Sequence, residues 1–253
     1  MDNNQEYKTA TFSFFGKLND FSSLRRRSQP ITLGFRGRQS VKHLIESLGV
    51  PHVEIEQIIV WNRRVDFNYL VNNHDWVQVF PYTPPIELPK PTASHHDEVA
   101  QFVVDNHLGK LAAYLRMMGF DTSYRNDIQD DELARIASQD ERILLTRDQR
   151  LLMRACIHYG YWVRNKIPQQ QIREVMQRWN LAPFARPFRR CIRCNGLLQM
   201  VEKEQIQDQL QPLTKKYFEE FRICPNCQQI YWKGSHFEKM QTFLMETLGD
   251  QAN

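Results

Sequence analysis

The stretch Phe102-Val-Val-Asp-Asn-His-Leu-Gly-Lys-Leu-Ala-Ala-Tyr-Leu-Arg-Met-Met-Gly119 changes from one apolar pattern to another within a few residues. A short apolar run ends at Asp105 and predicts a buried strand. Apolar residues then recur at the spacing of one helix face, and Gly119 predicts where that helix ends. These apolar residues are Leu108, Leu111, Ala112, Leu115 and Met118. A strand that leads directly into a helix is the repeating element of parallel α/β sheets.

The alternation of strand and helix patterns continues as far as residue 188. Ile143-Leu-Leu-Thr146 predicts a second fully buried strand. The stripe of Leu151, Leu152 and Ala155 predicts a helix, and Cys156 in this stripe is expected to pack in the core of the domain. Further helices are predicted over Leu133–Ala137 and Ile172–Met176, and a further strand over Tyr161–Val163. We therefore predict an α/β domain over residues 99–188, with helices covering a parallel sheet.

The first 83 residues follow a different pattern, with short β-rich runs and one helix. Ser40 is suited to cap that helix, whose apolar stripe starts at Val41, and Gly49 is suited to end it. This order predicts a small α+β domain over residues 1–83. Four of the 12 prolines then fall in residues 84–98, which predicts a linker.

The composition is that of an ordinary folded protein. Of the 253 residues, 42% are hydrophobic and 25% are charged, which excludes a disordered or collagen-like chain. No apolar run has the length of a membrane helix, and the first residues lack the features of a signal peptide, so we expect a cytoplasmic protein without membrane contact. The net charge of +4 fits a polyanionic partner without requiring one.

Four of the five cysteines form two close pairs, Cys191/Cys194 and Cys224/Cys227. Each Cys-x-x-Cys turn places two sulfurs on one side of a metal, and Gly196 allows the positive φ that such a turn often needs. The alternatives are free core thiols or a redox pair, although a redox motif has one such pair rather than two. We predict a closed structural zinc site within a module over residues 189–253.

Acidic residues follow both predicted buried strands, and ligands of open α/β sheets bind beyond the carboxyl ends of strands. Asp105 ends the first strand and Asp148 follows the second. A third group of acids lies between them at the start of a helix, and comprises Asp127, Asp130, Asp131 and Glu132. Together they could hold one or two Mg²⁺ or Mn²⁺ ions for phosphodiester hydrolysis. The alternative is structural, since Asp127, Asp130 and Asp148 are also suited to cap helices.

The densest basic and aromatic patch precedes and enters the cysteine module. It comprises Arg186, Arg189, Arg190 and Arg193, interleaved with Phe184 and Phe188. Arginine binds phosphate with two parallel hydrogen bonds and aromatic rings stack on bases, which predicts contact with a nucleic acid. A solvated linker into the module is the alternative.

Four strings occurring in this order resemble the mutator-seven C-terminal RNase family, a PIN-like nuclease fold with a zinc ribbon. They are residues 104–121, Arg142-Ile-Leu-Leu-Thr-Arg-Asp148, Arg190-Cys-Ile-Arg-Cys-Asn-Gly196 and Tyr231-Trp-Lys-Gly-Ser-His236. The resemblance covers about residues 100–240 and implies metal-dependent RNA cleavage. The acids of the family fall on Asp105, on Asp131 or its neighbour Asp130, and on Asp148.

The first domain resembles the ubiquitin-like β-grasp domain that often precedes this RNase domain. The resemblance is carried by residues 40–51 and by Val77-Gln-Val-Phe-Pro81. Similar sulfur-carrier domains act through a free Gly-Gly end, whereas this one runs into Pro81-Tyr-Thr-Pro-Pro85. A role in contacting a protein partner or in positioning RNA is therefore expected rather than sulfur transfer.

The sequence departs from the pattern of PIN nucleases at one place. Other PIN nucleases often carry a further acid just after the position of Asp148, where this chain has Gln149 and Arg150. A non-catalytic RNA- or protein-binding adaptor is accordingly the alternative to a ribonuclease.

Overall fold

The computed structural model describes residues 6–21, 29–88, 100–234, 237–238, 242–243 and 246. The chain divides into two compact units. The first combines Met1–Thr83 with Leu144–Trp162, and the second combines Pro84–Ile143 with Val163–Asn253. Among the described residues, no helix combines the length and the apolar character that crossing a bilayer requires.

The first unit contains a mixed five-stranded sheet with the order β2-β1-β5-β3-β4. Its strands are β1 (Tyr7–Phe14), β2 (Ile31–Arg36), β3 (Ile55–Val60), β4 (Arg63–Val65) and β5 (Trp76–Pro81). Strands β1 and β5 are parallel, whereas the other neighbours are antiparallel. Helix α1 (Val41–Ser47) follows β2 in the chain. This arrangement confirms the predicted β-grasp domain.

Every second side chain of β1 from Ala10 onward points into the core of this domain. Phe12 and Phe14 are buried with Leu44 and Ile45 of α1 in one apolar cluster, and full burial of each such side chain contributes about 1.5–3 kcal/mol. The side chain of Ser40 accepts a hydrogen bond from the backbone N–H of His43, which confirms the predicted helix cap.

The later stretch of the first unit consists of a helix between two parallel strands. Strand β8 (Ile143–Thr146) pairs with β9 (Gly160–Trp162), and α4 (Gln149–Leu152) lies between them in the chain. The predicted strand β8 is buried throughout, as its sequence indicated. The prediction for Cys156 was wrong, because α4 ends at Leu152 and Cys156 is exposed.

The second unit begins with the predicted strand and helix. Strand β6 (Gln101–Val104) pairs in parallel with β7 (Asp121–Ser123), and α2 (Gly109–Met117) connects them. Helices α3 (Asp130–Gln139) and α5 (Pro168–Arg178) follow in this unit. Parallel strands connected through helices confirm the α/β prediction.

Gly119 ends α2 in a conformation that a residue with a side chain rarely adopts. Its φ is +94°, and an added Cβ would lie 2.1 Å from the carbonyl oxygen of Arg186. The backbone N–H of Arg186 donates to the carbonyl of Met118 over 2.8 Å. The chain that enters the cysteine module therefore runs directly against the end of α2.

The cysteine module contains a three-stranded antiparallel sheet. Its order is β10-β11-β12, formed by Gln199–Val201, Phe221–Ile223 and Ile230–Trp232. Short helices α6 (Lys203–Ile206) and α7 (Pro212–Tyr217) connect β10 to β11. Residues 89–98 of the predicted linker lie outside the described residues, as do most residues after Gly234.

Candidate metal centres and nucleic-acid interface

The four paired cysteines converge on one point. Their sulfur atoms all lie within 4.8 Å of one another. Cys191 Sγ lies 3.5 Å from Cys227 Sγ, and Cys194 Sγ lies 3.3 Å from Cys224 Sγ. Four thiolates around tetrahedral zinc, each about 2.3 Å from the metal, are separated by roughly 3.8 Å. The donor set and its spacing fit zinc, as the sequence predicted.

The two Cys-x-x-Cys turns share one backbone geometry. In the first, Asn195 donates its N–H to the Cys191 carbonyl, and in the second Gln228 donates to the Cys224 carbonyl. Asn195 and Gln228 both have positive φ, at 72° and 59°. The prediction that Gly196 has the positive φ was therefore wrong. Gly196 is needed for space, since an added Cβ would lie 3.0 Å from Cys224 Sγ.

Hydrogen bonds adjust the acidity of the first thiol. Burial acts to raise the pKa of Cys191, but hydrogen bonds with the Tyr231 hydroxyl and the Cys194 backbone N–H lower it to about 7. Burial, together with hydrogen bonds to the neighbouring cysteine sulfurs, raises the pKa of Cys194 to about 12. One thiolate thus opposes ionisation of the next, and a bound dication would relieve this repulsion.

Arg116 connects the first cysteine turn to the α/β elements. Its guanidinium is buried and donates to the carbonyl oxygens of Ile192, Arg193 and Thr122 at 3.1, 2.9 and 3.0 Å. Burial lowers the pKa of Arg116, and the negative charge that Cys191 and Cys194 carry when ionised opposes that shift. The guanidinium therefore holds the cysteine turn against β7.

A second buried charge network surrounds Asp121 at the start of β7. Its carboxylate accepts hydrogen bonds from Arg142 Nη1 at 2.7 Å and from Asn195 Nδ2 at 2.9 Å, and lies 3.4 Å from Arg190 Nη2. Burial acts to raise the pKa of Asp121, but the hydrogen bond and charge of Arg142, together with the charge of Arg190 and the Asn195 hydrogen bond, lower it overall. This carboxylate thus joins the α/β elements to the cysteine turn.

The structure divides the predicted arginine patch. Arg190 is only 7% exposed, because its side chain pairs with Asp121 and donates to the Asn195 carbonyl. A buried guanidinium has little access to RNA, so Arg190 does not belong to the surface that the sequence predicted. Arg186 and Arg193 are exposed, and Arg189 is half-buried.

Asp105 lies where the sequence predicted, directly after β6. It is 6% exposed, and its backbone carbonyl accepts a hydrogen bond from the N–H of Leu108. Its side chain makes no capping bond to the short 3-10 helix that follows. The structural role of a cap therefore does not account for this carboxylate.

A cavity with three basic side chains in its lining includes residues that follow Asp105 in the sequence. The cavity has a volume of about 490 Å³ and is lined by His107, Lys110 and Lys166, together with Tyr124. The Tyr124 hydroxyl donates to the backbone carbonyl of Asn106 at 3.0 Å. The positive charge of Lys110 and Lys166 favours an anionic group such as a phosphate in this cavity.

Asp148 follows β8 and caps α4. Its Oδ1 accepts the backbone N–H of Arg150 at 2.8 Å, and its own N–H donates to the hydroxyl of Thr146 at 2.9 Å. The capping alternative is therefore correct for Asp148. Because the cap uses one carboxylate oxygen, Oδ2 remains available to a further ligand.

Asp130 and Asp131 lie in the first turn of α3, where both are exposed. Residue Gln129 occupies the cap position, so neither Asp127 nor Asp130 caps this helix. Carboxylates in a first turn also interact favourably with the helix dipole. Within the described part of the chain, the cysteines are the only group of three or more metal-ligating side chains with their ligand atoms within 4.8 Å.

Residues that sequence reasoning missed hold the stretch with Asp148 in place. The backbone N–H of Trp162 donates to Glu54, and its indole N–H donates to the carbonyl of Arg147 at 3.1 Å. His52 bridges the Glu46 carboxylate and the carbonyl of Ile157 through its two ring nitrogens. The signal in the sequence was weak, since Glu54 is a single acid between two apolar residues.

Comparison with protein families identifies both parts of the chain. A family model described as Mut7-C RNAse domain matches residues 100–244, and one described as Mut7-C ubiquitin matches residues 7–87. Their order along the chain is the one that the sequence motifs predicted. No curated protein and no solved structure matches the chain.

Proposed function

Since the chain belongs to the Mut7-C RNAse domain family, we propose that it is a ribonuclease that hydrolyses RNA phosphodiester bonds with the help of Mg²⁺ or Mn²⁺. The observation that carries this proposal is Asp105, a nearly buried carboxylate at a strand end that caps no helix. A nearly buried carboxylate without a capping role is suited to bind a divalent cation.

In this proposal Asp105, Asp131 or its neighbour Asp130, and Asp148 hold the catalytic ion. A bound Mg²⁺ or Mn²⁺ supplies an activated water and neutralises charge on the phosphodiester. Oδ2 of Asp148 is offered to the ion, while Oδ1 caps the first turn of α4. The cavity lined by Lys110 and Lys166, which includes residues that follow Asp105 in the chain, offers positive charge for the RNA backbone.

The cysteine module has a supporting role in this function. We propose that zinc on Cys191, Cys194, Cys224 and Cys227 is structural, because four thiolates leave no open position for chemistry. Arg186, Arg189 and Arg193 are proposed to contact the RNA backbone. We also propose a cytoplasmic location, since reduced thiols are favoured there.

Cleavage of labelled single-stranded RNA in the presence of Mn²⁺ tests the proposal. The purified 253-residue protein is compared with its Asp105→Asn and Asp148→Asn variants, and with Asp208→Asn as an exposed acidic control. We expect cleavage by the wild type and by the control, and a loss of at least a hundredfold in both other variants. Equal cleavage by all four proteins would show that a contaminating nuclease acts, and would contradict the proposal.

The second candidate is an adaptor that binds RNA or protein without turnover. It is favoured by Gln149 and Arg150, which stand where other PIN nucleases often have a further acid. RNA binding that persists after chelation, with no cleavage under any metal, would support the adaptor. Because chelators also remove zinc, zinc content must be measured in the same samples.

A further inference from the structure

The five-stranded sheet of the first unit has one buried and one open face. Along β1, Ala10 and Phe12 point into the core, so Tyr7 and Thr11 lie on the opposite face. Trp76 of β5 is the registered neighbour of Thr11 and lies on that same open face.

Two tryptophans on this face are fixed by their ring nitrogens. Trp76 donates its indole N–H to the Ser13 hydroxyl at 3.1 Å, and Trp61 donates to the Asp75 carboxylate at 3.2 Å. Their ring centroids lie 6.3 Å apart, with the planes at 89°. The side chains are nevertheless 47% and 59% exposed. The rings are thus held in position while much of their surface faces solvent.

Trp61 also has an unfavourable backbone conformation. It lies in the turn between β3 and β4 with a φ of 46°, followed by Asn62 at 67°. Glycine, asparagine and aspartate are the residues preferred in such turns. A bulky side chain at positive φ is costly, and such strain is concentrated at functional sites.

A third aromatic ring extends the same face. Tyr7 is 63% exposed and lies across Gly34 of β2, where an added Cβ would be 1.8 Å from the Tyr7 hydroxyl oxygen. The absence of a side chain at Gly34 therefore lets this ring lie close to the sheet.

Two arginines lie among these rings. Arg36 lies opposite Tyr7 on the neighbouring strand β2. Arg64 of β4 lies opposite Ile59 of β3, and Ile59 lies opposite Gln78 of β5. Both arginines are exposed, and neither has an ion pair with another of the described side chains. We call Tyr7, Trp61, Trp76, Arg36 and Arg64 the aromatic sheet face.

We propose that the aromatic sheet face binds single-stranded RNA. Aromatic rings stack on unpaired bases, and arginine binds phosphate with parallel hydrogen bonds. Apart from Gly34 and the half-buried Ile59, the positions on this face are aromatic, cationic, hydroxylic or, at Gln57 and Gln78, neutral amides, which suits a polyanion with bases better than an apolar protein surface. This inference deepens the proposed function, because it assigns the ubiquitin-like domain a role in holding the same substrate class.

Binding of a labelled oligouridylate to the zinc-loaded 253-residue protein, measured without Mg²⁺ or Mn²⁺, tests the inference. Trp61→Ala and Trp76→Ala are each expected to lower affinity at least about fivefold, since stacking contributes strongly for each base. Trp76→Phe should retain most of the affinity, because it keeps a stacking ring. Tyr217→Ala, which removes a 66% exposed aromatic residue of the cysteine module, is the control and should bind like the wild type.

The salt dependence of binding supplies a second measurement. Arg36→Ala and Arg64→Ala should each reduce the slope of log affinity against log salt concentration by about 0.7. Circular dichroism spectra must show that every variant is folded. Wild-type affinity in a folded Trp61→Ala/Trp76→Ala double variant would overturn the inference.

The two proposals fail in different ways. If the double variant binds RNA weakly while the wild type cleaves none, the aromatic sheet face is supported and the ribonuclease proposal is not. If Asp105→Asn abolishes cleavage while the double variant binds RNA normally, the ribonuclease proposal stands and the aromatic sheet face is refuted.

Discussion

The carboxylate of Glu54 accepts a hydrogen bond from the backbone N–H of Trp162, with 2.8 Å between Oε1 and the nitrogen. Glu54 is only 1% exposed, so this bond forms in the interior of the first unit. The indole of Trp162 in turn donates to Arg147, the residue before Asp148. The ubiquitin-like residues therefore help to set the position of a proposed catalytic carboxylate.

Replacing Glu54 should weaken the first unit. Glu54→Ala leaves the Trp162 N–H without this acceptor, and an unsatisfied buried donor costs about 1–3 kcal/mol in free energy of unfolding. Glu54→Gln keeps an oxygen acceptor and should cost less. Urea denaturation measures both, with the exposed Glu6→Ala as control. Equal stability of Glu54→Ala and wild type would show that the bond contributes nothing.

Removing one cysteine of the cluster should remove zinc. We expect Cys191→Ser to retain close to none of the zinc that the wild type holds, about one ion per chain, because a structural site needs its four ligands. Cys156→Ser is the matched control, since Cys156 is exposed and lies outside the cluster. Metal analysis of the dialysed proteins gives the result, and loss of zinc from both variants alike would contradict it.

The Asp121 network should make stability depend on acid pH. Because the folded-state pKa of Asp121 is lowered, its charge stabilises the fold above the unfolded value of about 3.9. That contribution is lost as the pH falls through the lower folded-state pKa. Asp121→Asn leaves the buried Arg190 without its counter-charge and should cost about 3–5 kcal/mol at pH 7.

Free energies of unfolding at pH 7 and at pH 3 test this expectation. The difference in free energy of unfolding between the wild type and Asp121→Asn should be smaller at pH 3 than at pH 7. A difference that is the same at both pH values would show that the Asp121 charge does not stabilise the fold.

The arginines of the predicted patch should separate into two classes. Arg186→Ala should weaken RNA binding and reduce the salt-dependence slope by about 0.7, as expected for a phosphate contact. Arg190→Ala should instead lower the free energy of unfolding, because it leaves Asp121 short of a cation. Binding and urea titrations on both variants distinguish the classes, and a binding defect in a fully stable Arg190→Ala protein would contradict this assignment.

Sequence patterns predicted those features that depend on neighbours in the chain. The run Ile143–Thr146 is a strand because every residue in it is suited to burial, and the apolar stripe of α2 follows from helical spacing. The cysteine cluster follows from two short turns with equal spacing. The strand, the helix and each Cys-x-x-Cys turn are signals within a few residues, whereas the meeting of the two cysteine pairs was inferred from the four donors that zinc needs.

Features that depend on distant partners were not predictable in this way. In the sequence Arg190 belongs to a basic patch, but in the structure its side chain lies beside Asp121. Glu54 and Trp162 are 108 positions apart, and neither residue indicates the other. Cys156 matched a helical stripe, but α4 ends before it. For Arg190, Glu54 and Trp162 the outcome was decided by tertiary contacts that local patterns do not contain.

The first unit draws on two stretches of chain, Met1–Thr83 and Leu144–Trp162, with residues 84–143 between them. During synthesis, Glu54 leaves the ribosome long before Trp162, and the hydrogen bond between them cannot form until the later stretch has emerged. The amino-terminal domain is therefore translated first but finishes its packing late. A chain interrupted before residue 144 would lack the later stretch, so the surface that this stretch covers would stay exposed to solvent.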